Sequence, residues 1–168
     1  MEEVSLQEML AARERRSYLQ TRLLQQYKKS LISFTLNIPG PVKVLDGVPK
    51  AFATGCQRIE TLLKERLILV QHMETIKEKT GYEAFYSVDA NPDFIKALMV
   101  TLEDQDRLGR LFDIDVIRPD GTKVSREDLG EAPRTCLLCG EPAHACSRSR
   151  RHSVPELTAE ITNILKDL

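Results

Sequence analysis

The stretch Leu31–Ile38, LISFTLNI, sets Ile32, Phe34, Leu36 and Ile38 at alternate positions with Ser33, Thr35 and Asn37 between them. Period-two alternation belongs to a strand with one buried face. Pro39-Gly40-Pro41 ends it, because proline cannot donate to a ladder and the glycine between turns the chain. Arg110–Ile117, RLFDIDVI, repeats the pattern, with Phe112, Ile114 and Val116 on one face and Asp113 and Asp115 on the other. A chain built on such strands must cover their apolar side with another layer.

Helices are expected to supply that layer. Ser5 and Glu8 form a capping box at the start of a first helix. Leu6, Met9, Leu10, Leu23, Leu24 and Tyr27 follow at helical spacing, and Arg13-Glu14-Arg15-Arg16 interrupts the apolar face. Pro49 to Lys79 reads as helical, one helix or two, with Phe52, Cys56, Ile59, Leu62 and Leu63 on one face and Gly81 ending it. Cys56 is assigned to the core. Ala84–Val88 reads as a short strand, and Asn91-Pro92-Asp93 opens a helix running to Leu102 or Glu103. Pro119-Asp120-Gly121 is a turn signal that pairs Lys123-Val124 back on the preceding strand. Ser153 and Glu156 cap a C-terminal helix carrying Leu157, Ile161, Ile164 and Leu165. The expectation is an α+β fold: one domain over residues 1–168, with a small, mostly antiparallel sheet, flanking helices and a C-terminal helix.

Charge narrows the function. Lys and Arg total 24 against 25 Asp and Glu, a formal charge of -1. This balance argues against a general nucleic-acid or membrane-surface binder. No apolar run approaches a membrane span and the polar N-terminus is not a signal peptide, so a cytoplasmic location with reduced cysteines is expected.

Four constellations can carry chemistry, the plainest being Pro39-Gly40-Pro41-Val42-Lys43, a rigid loop after the strand that either presents Lys43 and backbone N–H groups at a site or is an ordinary strand-ending turn. Asp113 and Asp115, at i and i+2 of a strand, point the same way and form a paired oxygen site suited to Mg²⁺. Arg110 beside them suits phosphate. A solvated strand face, or an ion pair with Arg110, would show the same pattern. Cys136, Cys139, Cys146 and His152 resemble a structural Zn²⁺ site of Cys₃His type, with His144 able to stand in for His152; the competing reading is buried thiols. Arg148, Arg150 and Arg151 make a dense cationic run, either a solvated loop or a grip for phosphates or an acidic protein.

Taken together, these residues resemble one family. Leu108-Gly109-Arg110-Leu111-Phe112-Asp113-Ile114-Asp115-Val116 is similar to the signature of the CitX family, the holo-acyl-carrier-protein synthases of citrate lyase, also called apo-citrate lyase phosphoribosyl-dephospho-CoA transferases. Arg13-Glu14-Arg15, Ser33-Phe34-Thr35, Pro39 to Lys43, Ser125-Arg126, Arg134 with Cys136 and Cys139, Cys146-x-Arg148 and His152 resemble further family motifs in the same order. Asp106-Arg107 stands where the family usually has His-Pro. The resemblance implies transfer of the prosthetic group from 2'-(5''-triphosphoribosyl)-3'-dephospho-CoA to a serine of the acyl carrier subunit of citrate lyase, with diphosphate leaving. It implies Mg²⁺ on Asp113 and Asp115, with Glu103 as a third carboxylate or base. Lys43, Arg110, Arg13, Arg15, Arg126 and Arg134 are the implied substrate-binding cations. The D-x-D strand also resembles the wider nucleotidyltransferase fold. Two other readings stand beside this one: a non-enzymatic, zinc-stapled protein-binding module, and a paralogue that modifies another carrier protein.

Overall fold

A computed structural model describes residues 1–168. It contains α1 (Leu6–Tyr27), β1 (Ser30–Leu36), α2 (Val48–Glu65), β2 (Val70–Glu78), β3 (Gly81–Val88), α3 (Pro92–Glu103), β4 (Phe112–Ile117), α4 (Ala143–Ser149) and α5 (Val154–Lys166), with 3₁₀ turns at Gly109–Leu111 and Glu127–Leu129. The strands form one sheet in the order β2-β3-β1-β4, antiparallel at every pairing. The expected α+β architecture is therefore present. Ser5 caps α1 and Ser153 caps α5, each accepting an N–H from the glutamate three residues on.

One expectation is corrected. The chain from Pro49 to Lys79 is not helical throughout: α2 stops at Glu65, and residues 70–78 are a strand. No glycine or proline marks the break, and Leu67 takes a left-handed backbone instead (φ 57°). β2 is an edge strand whose half-buried residues alternate with exposed ones. Val70 packs on the main core, and after a register irregularity between Val70 and His72 the side facing α1 mixes Ile76 with His72 and Glu74, so hydropathy alone does not reveal the period of two.

The two faces of the sheet differ, and the difference makes the site. One face carries Ile32, Phe34, Ala84, Tyr86, Val88, Phe112, Ile114 and Val116 into the main core beneath α2, α3 and α5. The opposite face is covered by α1, where Leu19, Leu23 and Leu24 pack on Leu31, Phe85 and Ile117. The register sets Ser33 opposite Asp115 and Thr35 opposite Asp113. Both aspartates thus lie on the α1 side, next to small hydroxyl side chains that leave room above them.

Candidate active site and metal centre

Toward its N-terminus α1 exchanges leucines for Arg13, Arg16, Ser17 and Gln20, and there it cannot close on the sheet. The space beneath is a cleft of about 600 Å³ lined by these residues, by Ser33 and Thr35 of β1, by Asp113 and Asp115 of β4, and by Lys123. The charged interruption seen in the sequence is therefore the roof of the cleft. Gln20 donates to Ser33 Oγ at 3.0 Å, Arg16 pairs with Glu83 at 3.1 Å, and Lys123 Nζ lies 3.2 Å from Asp115 Oδ2. Arg13 makes no ion pair or side-chain hydrogen bond within the protein.

Asp113 reaches solvent in the cleft but is crowded by protein on its other sides. That burial raises its pKa, and the neighbouring charges of Asp115 and Glu103 add to the effect. A carboxylate pair in mutual repulsion, already drawing the Lys123 ammonium, fits a hard cation. Lys43 is near enough to Arg13 of the cleft roof to feel its charge. It donates to the Ile38 carbonyl at 2.7 Å; burial pushes its ammonium pKa below the ordinary range and Arg13 pushes it further.

The other sequence-selected residues lie elsewhere. β4 is an edge strand, and charged side chains satisfy its free backbone groups. Glu103 Oε2 accepts the Ile114 N–H at 2.9 Å, Lys96 donates to the Ile114 carbonyl at 2.9 Å, and Arg134 donates to the carbonyls of Phe112 at 2.6 Å and Arg110 at 2.9 Å. Glu103 is 3 % exposed, and Arg126 Nη2 occupies its other oxygen at 2.7 Å. Both of its oxygens are committed behind the strand rather than in the cleft. Arg110 turns away too, donating to the carbonyls of Thr135 at 3.0 Å and Cys136 at 3.1 Å. Arg15 lies at the surface against Glu78 at 3.5 Å. The structure thus brings Arg13 to the carboxylate pair, leaves Lys43 outside the cleft lining, bonded to the Ile38 carbonyl, and ties Arg110, Arg126 and Arg134 into the supports of β4. Arg16, Ser17, Gln20, Ser33 and Lys123 were missed by sequence reasoning, although the charged break in α1 and the alternation of β1 mark most of them.

The segment before β4 explains two sequence features. A Cβ on Gly109 would run into the carbonyl oxygen of Leu102, so only glycine lets the 3₁₀ turn lie this close to α3. Asp106 accepts the Gly109 N–H at 2.9 Å and takes the Arg58 guanidinium in a two-pronged pair at 3.0 and 2.9 Å. Arg107 latches α5 through Glu160 and Asp167. The pair that replaces the family's His-Pro has structural partners here.

The ligand atoms of Cys136, Cys139, Cys146 and His152 all lie within 4.8 Å of one another. The sulfurs of Cys139 and Cys146 are 3.6 Å apart, near the roughly 3.8 Å edge of a tetrahedron with Zn–S bonds of 2.3 Å. Burial pushes the Cys136 thiol up, but the backbone N–H groups of Leu138 and Cys139 together with the Cys146 and Cys139 thiols outweigh it and hold its pKa below the ordinary value. Cys146 is pushed up to about 11 by burial and by its neighbouring thiols. His152 Nε2 is the one buried side-chain polar atom without a hydrogen-bond partner. Buried polar atoms are rarely left so, and a metal would satisfy it. The donor set fits zinc. His144 is not part of the cluster.

The cleft, with two adjacent carboxylates facing unpaired and loosely paired cations, can hold a hard cation together with a polyphosphate. No helix is long and apolar enough to cross a membrane. The family model for CitX, apo-citrate lyase phosphoribosyl-dephospho-CoA transferase, matches residues 4–168, and the chain belongs to that family. A probable apo-citrate lyase phosphoribosyl-dephospho-CoA transferase of Streptococcus pyogenes serotype M18 (strain MGAS8232) is 37 % identical over 170 residues, covering 98 % of this chain and 86 % of that protein. A protein of the same description from Vibrio cholerae serotype O1 (strain M66-2) is 37 % identical over 165 residues, covering 98 % and 93 %. Protein CitXG of Haemophilus influenzae is 34 % identical over 165 residues; the match covers 98 % of this chain but 35 % of that longer protein.

Proposed function

We propose that this chain is an apo-citrate lyase phosphoribosyl-dephospho-CoA transferase, a holo-acyl-carrier-protein synthase of nucleotidyltransferase type. Its donor is 2'-(5''-triphosphoribosyl)-3'-dephospho-CoA and its acceptor a serine of the citrate lyase acyl carrier subunit. The observation that carries this reading is the full-length family match together with the placement of Asp113 and Asp115 in a cationic cleft. A protein-binding module has no need of such a pair.

The serine oxygen forms a bond to the α-phosphorus of the donor's triphosphate while the bond to the departing diphosphate breaks. Arg13, Arg16 and Lys43 bind the phosphate oxygens and stabilise charge on the leaving group. Lys123 exchanges Asp115 for phosphate. The serine proton passes to water, which reaches the cleft at Asp113. Asp113 and Asp115 would hold Mg²⁺, which when bound supplies charge neutralisation at the phosphates. Glu103, Arg126, Arg134 and Arg110 act as positioning residues: they fix β4 and the segment after it, and so the direction of both aspartates. The enzyme works in the cytoplasm as one domain, with zinc on the cysteine cluster in a structural role.

Intact-mass analysis of the apo acyl carrier subunit, incubated with this protein, donor and Mg²⁺, should show one added prosthetic group. An unchanged mass refutes the assignment. Elemental analysis of the purified protein should show about one zinc per chain; metal-free protein of undiminished stability would instead support buried thiols.

A further inference from the structure

A second cavity, of about 610 Å³, opens where β1 runs out. That is within the roughly 300–1,000 Å³ of ligand-sized pockets. Asn37 and Pro39 form one wall, the cysteine segment around Cys136 and Leu137 another, and the first turns of α5, with Leu157 and Ile161, a third. Most of its surface is apolar. At its rim stands Arg150, in the left-handed backbone that ends α4 (φ 51°). Arg150 makes no ion pair or side-chain hydrogen bond within the protein.

This cavity and the carboxylate cleft are consecutive along one strand. β1 sends Ser33 and Thr35 into the cleft and Asn37 into the cavity. The Asn37 N–H bonds the Leu111 carbonyl at 2.8 Å, so strand-like pairing persists to that point. Two residues of strand advance about 7 Å. One residue past Asn37 the Ile38 carbonyl holds Lys43, and Arg13 of the cleft roof is close enough to act on that ammonium. Cations therefore stand at both spaces: Arg13 and Arg16 line the carboxylate cleft, and Arg150, with an unpaired guanidinium, lines the apolar chamber beyond Asn37.

We propose that this chamber is the subsite for the dephospho-CoA body of the donor, a nucleoside diphosphate bearing a long arm of methylene and gem-dimethyl groups joined by two amides. The proposal rests on the transferase reading of the cleft. The triphosphate end lies at Asp113 and Asp115, the apolar parts lie on Leu137, Leu157 and Ile161, and Arg150 binds the diphosphate between nucleoside and arm. The cysteine cluster, whose Cys136, Cys146 and His152 line the chamber, then forms one wall of the donor site rather than a remote staple. Of the three clustered arginines, Arg150 serves the donor and not the carrier protein.

The test uses 3'-dephospho-CoA, which lacks the triphosphoribosyl end, titrated calorimetrically into the full chain and into Arg150→Ala and Leu157→Glu. Arg150 is exposed and Leu157 half-buried outside the main core, so melting temperatures should be unchanged. Dephospho-CoA should bind the unmodified protein. Arg150→Ala should weaken binding about tenfold, the loss of one charge-assisted contact, and Leu157→Glu at least about tenfold, through a carboxylate placed in an apolar wall. In the transfer assay the donor KM should rise in both variants while kcat stays within about twofold, the pattern of lost ground-state binding. No binding of dephospho-CoA, or equal binding by all three proteins, overturns the subsite even where transfer to the carrier proceeds. Binding that weakens in both variants without any transfer by the unmodified protein would retain the subsite and overturn the transferase reading instead.

Discussion

Asp113→Asn and Asp115→Asn should each abolish transfer, lowering kcat by about a thousandfold or more. The amide keeps the shape of the side chain but removes the charge that gathers a divalent cation against the triphosphate. Losing that stabilisation forfeits several kcal/mol of barrier reduction, at about 1.4 kcal/mol per tenfold. Stability should move the other way for Asp113. Its folded pKa is raised, chiefly by burial and then by Asp115 and Glu103. Above its ordinary value of 3.8 the unfolded chain gives up this proton more readily than the folded one. The contribution present at low pH is therefore lost as pH rises through the raised folded value. At neutral pH the ionised Asp113 costs stability, so Asp113→Asn should melt no lower than the unmodified protein, and its advantage should vanish below about pH 4, near the ordinary aspartate value. Thermal scans across that range, with a single-turnover assay, check both halves. Near-normal turnover in either variant would remove the aspartates from the reaction. An inactive Asp113→Asn with a sharply lowered melting point would instead mean that the loss is one of folding.

Much of this was legible in the sequence because strands announce their faces. The alternation in Leu31–Ile38 and Arg110–Ile117 fixes which side chains share a surface, and the two strands turn out to be paired neighbours with Thr35 opposite Asp113. The capping serines and Asn91 likewise mark three helix starts found in the fold. What sequence spacing cannot supply is the third dimension of a charge. Arg110 adjoins the aspartates along the chain, yet the 3₁₀ turn at Gly109–Leu111 rotates it toward Thr135 and Cys136. Arg16 and Lys123 are remote in sequence, and helix packing and a turn bring them to the cleft. β2 was hidden for a different reason. An edge strand keeps charged residues on both sides and needs no breaker before it, so its pattern merges with the amphipathic helix it follows. The cysteine cluster was legible in composition, but only the fold shows His152 Nε2 orphaned beside three sulfurs.

Glu103→Gln should be among the most destabilising single changes in the protein, at about 3–5 kcal/mol, because it breaks a buried charge pair and leaves the partner behind. Arg126 is 11 % exposed and lies against Glu103 at 2.7 Å. Glutamine would turn either an oxygen or an NH₂ group toward each neighbour. It can satisfy the Ile114 N–H or the Arg126 guanidinium with its single oxygen, not both. Asp104 provides the internal control. It pairs with the same guanidinium at 3.1 Å but is 57 % exposed, so Asp104→Ala should cost less than about 1 kcal/mol. Urea unfolding of both variants measures the difference as a fall in midpoint at constant slope. Residual turnover of folded Glu103→Gln, assayed well below its midpoint, then separates support from chemistry. A residue that holds β4 through Ile114 lowers activity and stability together, with the pH profile of transfer unchanged. A variant that stays fully stable while transfer collapses would return Glu103 to the reaction as a base, in spite of its position behind the strand.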